Sequence, residues 1–326
     1  NNESQKLRTF FNDEISKYYS ILPLGYAFTA ANAAFLLSID AEYVKIGDAK
    51  IDLDGSIEDV RACVSKLPKP AKTRENFHWA VGADLRRLWA EQKLNQTEEN
   101  RLDQGGYTSL RDLLFAYSWC SISKELALQA DDIGGEEADE SLLSNLASEK
   151  IIEAEETLFS SPRLDYDAAW HLDNAYVANE SGEFGAAIYE ATYAEVMQKM
   201  ATDSVENVSD AAEKLAKDSR TSLWGKIYYG QGMYLYTEAL EGKLAPADAY
   251  RILKYSSELD KAASDIDREL LKKKGEIVQS VAVQRAPAVK APTELDAILA
   301  VVLAACVAGF GLAVVDRLAK QQHLER

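Results

Sequence analysis

Ala297 to Val315 read AILAVVLAACVAGFGLAVV, nineteen successive residues without a charged side chain. At ~1.5 Å of helical rise per residue the segment covers roughly 28 Å, close to the ~30 Å hydrocarbon thickness of a bilayer. Asp296 and Asp316 bound it. A buried helix of a globular domain usually keeps a polar stripe, and this one has none. A single transmembrane helix is therefore expected at 297–315, and the remainder of the chain is read outward from it.

On its amino-terminal side, Pro287 and Pro292 sit among alanines and valines. That composition predicts a semi-rigid stalk over 278–296. Beyond the span, 316–326 is a short tail in which Arg317, Lys320 and Arg326 outnumber Glu325, the bias expected of a cytoplasmic flank. The sequence begins at Asn1 with no apolar leader, which we read as a signal peptide already removed. The expected topology is then single-pass type I: the bulk of the chain extracytoplasmic, at a cell surface, and the tail inside. Asn2, Asn95, Asn179 and Asn207 each open an N-x-S/T triplet and are the candidate glycosylation sites of such a glycoprotein. A tail-anchored protein with its domain in the cytosol is the competing topology.

The 326 residues carry a formal net charge of −17, and no local basic patch interrupts it. A nucleic-acid or anionic-lipid surface would be repelled, so no nucleic-acid partner is expected.

The upstream chain reads as all-α. Apolar residues at helical spacing predict helices over 3–22 and 26–42, from Ser56 to about Leu67, over 75–92, from Thr108 or Ser109 to about Leu128, and over 141–158. Helix pairs follow over 166–200, then 209–241 with 245–274. The polar runs starting at Glu98 and at Asp131 read as loops. One small β-hairpin is allowed, from the alternation of Val44, Ile46, Ile51 and Leu53 around Gly47-Asp48. The fold class is a helical bundle or an irregular helix-hairpin repeat array. Its expected divisions are an N-terminal helical domain over 1–160 and a helix-hairpin region over 161–277.

Within that second region, Ala169 to Ala194 read AWHLDNAYVANESGEFGAAIYEATYA. Trp170, Leu172, Ala175 and Tyr176 in a first helix, Gly182-Glu183-Phe184 at a turn, and Ala187, Ile188 and Ala194 in a second resemble a tetratricopeptide repeat. The resemblance covers about thirty residues and departs from the family by about two extra residues before Gly182. It implies paired helices whose stacked faces form a partner-binding groove. A pair around Trp224 to Ala262 has similar ingredients but no strict period.

Tyrosines crowd the same region, and Tyr176, Tyr189, Tyr193, Tyr229 and Tyr236 are candidates for partner binding, with packing between helices as the alternative. Cys63 and Cys120 could close a bridge worth ~4 kcal/mol by chain entropy, or remain two buried thiols. In the span, Ala304, Ala305, Ala308, Gly309 and Gly311 form a small-residue face suited to helix association.

No catalytic, cofactor or metal constellation is visible. His78 and His171, each beside a tryptophan, read as helix-interface residues, and no histidine stands at zinc-ligand spacing from a cysteine. Asp52 to Ser56 is similar to the middle of a calcium loop, but Lys50 and Arg61 fall at ligand positions. The expected role is that of a membrane-anchored scaffold or accessory subunit working through protein partners, with self-association possible. A receptor for a small molecule or glycan between helix pairs, a cytosolic adaptor, and a hydrolase assembled from distant residues are the alternatives.

Overall fold

In a computed structural model, the chain is described over residues 2–22, 26–46, 53–103, 107–202 and 207–272. The expected span with its small-residue face, the stalk and the tail lie outside these residues. Among the described residues no helix is long and apolar enough to cross a membrane.

The described chain is all-helical: α1 (Asn2–Ile21), α2 (Ala27–Ile46), α3 (Leu53–Ser65), α4 (Phe77–Asp103), α5 (Tyr107–Ile133), a short 3-10 turn (Glu140–Leu143), α6 (Ser144–Ser160), α7 (Tyr166–Glu180), α8 (Phe184–Thr202), α9 (Val208–Lys217), α10 (Leu223–Leu240) and α11 (Pro246–Leu270). The allowed hairpin does not form from its predicted residues. Val44 and Ile46 end α2 and Leu53 begins α3, because a four-residue alternation is equally compatible with the end of an apolar helix. Gly47-Asp48 and Ile51 lie outside the described residues. The loop expected from Glu98 is instead the last turn and a half of α4, since Glu, Arg and Leu are strong helix formers whatever their polarity. Conversely, the helix expected over 209–241 is broken into α9 and α10 at Asp218–Ser222. There Ser222 caps α10, and Asp260 accepts from the backbone N–H of Thr221 at 2.9 Å and Ser222 at 2.7 Å.

The chain packs as two compact units that interleave along the sequence. Among the described residues, the first holds those within 1–66 and 90–125, the second those within 67–89 and 126–272. In the first unit, Ile57, Val60, Leu94, Leu113 and Ala116 make one apolar cluster. Phe35 of α2 packs its ring on Phe115 and Trp119 of α5. Cys63 of α3 and Cys120 of α5 are joined as a disulfide, and Lys93 reaches Asp112 at 2.9 Å.

The second unit is built around α8, which packs against α6, α7 and α11 and buries residues on every face from Gly185 to Ala194. Two helix hairpins, α7/α8 and α10/α11, turn in the same way. Gly182 and Gly242 both stand at φ 74°, and the next residue returns its N–H to a carbonyl one turn back, Glu183 to Ala178 and Lys243 to Glu238, each at 2.9 Å. This is the left-handed glycine cap that stops a helix while satisfying its last carbonyls. Helix pairs are thus present as the region's composition implied, sixty residues apart at these turns.

The first half of α4, Phe77 to Trp89, is also buried nearly all round. It reaches α8 closely at Gly185, where an added Cβ would stand 2.7 Å from Val81 Cγ2 and 2.9 Å from Phe77 Cε1. Two helices buried on all sides cannot turn their polar residues toward solvent, so those residues must find each other.

Candidate functional site

They do so where α4, α7 and α8 meet. Glu190, at the middle of α8 with 0% of its surface exposed, accepts the Trp89 indole N–H at Oε1 (2.6 Å) and His171 Nδ1 at Oε2 (2.7 Å). A carboxylate only accepts, so His171 donates to it from Nδ1. Such charge-assisted bonds offset the large cost of burying the charge.

Rings close around this carboxylate. Trp89 lies 5.9 Å from His171, 6.1 Å from Tyr193 and 6.3 Å from Trp170, and His171 stacks on Tyr193 at 5.1 Å. Tyr193 donates its hydroxyl to Tyr228 at 3.0 Å, and both rings meet Tyr255. Burial pushes the Tyr193 phenol well above the ordinary tyrosine range, with the neighbouring Tyr228 adding to it. Arg86 lies over the rings of Trp89 (4.4 Å) and Trp224 (5.0 Å). Trp224 is itself fixed by donating to the His78 carbonyl at 3.0 Å.

Two further polar constructions flank the cluster. The Tyr189 hydroxyl and His78 Nδ1 share a hydrogen bond of 2.9 Å, and His78 Nε2 faces Asp267 at 2.9 Å, so one imidazole links α8, α4 and α11. Near the start of α8, Lys72 lies between Asp84 (2.7 Å) and Glu140 (2.6 Å), and Arg87 grips Glu183 at 2.5 Å through both carboxylate oxygens. Burial opposes the Lys72 charge, but the two carboxylates outweigh it and hold its pKa above the usual lysine value. Burial, with Asp84 nearby, raises the Glu183 carboxyl in spite of Arg87.

The tyrosines proposed for partner binding separate into two groups. Tyr189 and Tyr193 are buried and belong to the networks above, so their surfaces are spent inside the unit. Tyr229 is half-buried and donates to the Ala216 carbonyl at 2.6 Å, and Tyr236 is half-buried on α10. Tyr176 is exposed on α7, its phenol raised by partial burial and by Glu155. Among the acceptor asparagines, Asn95 and Asn207 are exposed, and Asn207 caps α9 through Asp210. Asn179 is half-buried, and the side chain of Asn2 is outside what is described.

Sequence reading placed His78 and His171 at helix interfaces but passed over Arg86, Trp89, Asn174, Glu190 and Trp224. Their signal was a charge inside an otherwise apolar helix: Asp84 and Arg86 within FHWAVGADLRRLWA, Glu190 within GAAIYEATYA. The arrangement holds an acid, the His171 imidazole with one free nitrogen and a guanidinium; among the described residues no serine, threonine or cysteine nucleophile is bonded to that imidazole. Among the described residues no three His, Cys, Asp or Glu side chains converge as a metal site. No protein-family model, no curated protein and no solved structure matches this chain.

Proposed function

We propose that the chain is a membrane-anchored extracytoplasmic scaffold or accessory subunit. Its all-helical region meets a protein partner, and the apolar segment 297–315 fixes it in a bilayer. The observation that carries this reading is the Cys63–Cys120 disulfide between α3 and α5. Bridges of this kind persist in oxidising compartments and are rare where glutathione keeps thiols reduced. With an apolar run of bilayer length, it favours the exported topology over the tail-anchored one.

For action by contact, the support is apolar surface left in water. Ile152 and Phe159 share one face of α6, two helical turns apart, and Leu164 and Tyr166 follow at the α6–α7 turn; Phe159 is 76% and Tyr166 86% exposed. Exposed large apolar side chains in one neighbourhood mark interaction sites. The Cys63–Cys120 bridge, the helix hairpins and this surface are what an ectodomain that works by presenting contacts would need.

The test is native mass spectrometry of the full chain taken from its own membrane in mild detergent, with thiol labelling and protease digestion of intact membranes. A blocked Cys63–Cys120 pair, digestion of the helical region from outside, and a stoichiometric partner or second copy are expected. A reduced, unmodified monomer shielded from external protease would overturn the reading.

A further inference from the structure

Arg86 keeps only 8% of its surface exposed, yet it forms no ion pair and no hydrogen bond among the described residues; its Nη1 is fully buried without an acceptor. A buried guanidinium normally finds a carboxylate. The buried carboxylate of the cluster, Glu190, has its two oxygens bonded to Trp89 and His171. What Arg86 does have is rings, Trp89 at 4.4 Å and Trp224 at 5.0 Å. A ring contact gives a cation no hydrogen-bond acceptor, so the buried Nη1 stays unanswered.

The surroundings are built to keep Arg86 in this state. Trp224 is held by its bond to the His78 carbonyl, and Gly82 leaves room for its ring: a Cβ there would stand 2.3 Å from Trp224 Cζ2. Trp89 is held by Glu190 and sits 6.1 Å from Tyr193. A second unsatisfied group lies on the helix that supplies His171. Asn174, one turn further along α7, is 0% exposed, and both its amide atoms lack a partner. One fixed cation without an anion, walled by aromatic rings, has the chemistry of a receptor for a small acid.

We propose that Arg86 is the anion-binding residue of an internal ligand site. It takes the carboxylate of a small organic acid on its Nη1 edge, while Trp89, Trp224 and Tyr193 receive the acid's planar or apolar body. The site goes beyond the scaffold role and stands without it, since it needs no membrane and no protein partner.

Benzoate, acetate and inorganic phosphate are the probes, titrated into the full chain in mild detergent while tryptophan emission and the thermal midpoint are followed. Benzoate binds saturably, raises the midpoint and perturbs the emission of Trp89 and Trp224, and it binds at least tenfold more tightly than acetate or phosphate. Arg86→Met, which keeps the apolar stem, abolishes the response. Arg86→Lys weakens it at least tenfold, because an ammonium lacks the planar fork. Equal binding of all three probes overturns the organic-acid assignment, and an unchanged benzoate response in Arg86→Met, or none in the wild-type chain, overturns the site. Should the variants not fold, crystals of the wild-type chain grown with benzoate decide the matter. Carboxylate density within hydrogen-bond distance of Nη1 upholds the proposal, and an ordered water alone refutes it.

Discussion

Trp89 donates its indole N–H across 2.6 Å to Glu190, which is 0% exposed, and this bond ties α4 to α8. Because His171 uses the other carboxylate oxygen, Glu190 of α8 is hydrogen-bonded to both α4 and α7. Glu190→Ala leaves an indole N–H and an imidazole N–H buried without an acceptor. It is expected to destabilise the fold by about 3–5 kcal/mol. Trp89→Phe removes one donor and is expected to cost about 1–3 kcal/mol. Urea denaturation of the single variants and the double variant reads their coupling; strictly additive losses would show that the bond does not act as described.

Close approach of helices makes a second expectation. Gly185→Ala drives a methyl against Val81 and Phe77, and Gly82→Ala drives one against Trp224. Each is expected to lose about 1–3 kcal/mol from overpacking. Gly230→Ala on α10 is the matched control, since nothing lies within 4 Å of its added Cβ. Its helical backbone makes alanine neutral or stabilising by up to about 1 kcal/mol. Thermal midpoints of the three variants, with Gly230→Ala the highest, test the packing directly.

How far the sequence discloses this arrangement depends on range. The helices of the second unit follow from local pattern, and Gly182 and Gly242 announce their turns because only a residue without Cβ settles comfortably at φ 74°. The break at Asp218–Ser222 could be read from its cap-forming residues, though its partner Asp260 lies 39 residues away. Glu190 is different. Its acceptor role depends on Trp89, 101 residues distant, and nothing at that separation is visible without the fold. The same holds for the interleaving of the two units along the sequence. It arises because α4 and α5 each contribute residues to both, so no composition shift marks a boundary.

The bridge between α3 and α5 closes 57 residues. Replacing both cysteines by serine is expected to cost about 2–5 kcal/mol, chiefly by freeing the unfolded chain. The loss should appear equally when the wild-type chain is unfolded in reductant. If Cys63→Ser/Cys120→Ser and the reduced wild-type chain denature at the same urea concentration as the oxidised protein, the bridge contributes no stability.

Alkaline pH probes the ring cluster from another direction. Burial raises Tyr189, Tyr193 and Tyr255 above the ordinary tyrosine value, Asp267 reinforcing the first and Tyr228 the second, while Arg251 only partly opposes the rise at the third. In the unfolded chain all three ionise near pH ~10. Above that pH the unfolded state has therefore lost protons that the folded state keeps, and stability falls as pH rises; below it these groups contribute no slope. Each adds a decline of up to about 1.4 kcal/mol per pH unit. Lys72 acts in the same sense: its raised pKa contributes stability that is whole below the ordinary lysine value and is lost as pH climbs through the folded one. Phenolate absorbance separates the two contributions. In the wild-type chain a fraction of the 16 tyrosines ionises only together with the loss of helical circular dichroism. Tyr193→Phe shrinks that late step and flattens the decline, whereas Lys72→Met flattens the decline and leaves the late step at full size. A single smooth phenolate titration completed before helix is lost would contradict the burial of these rings.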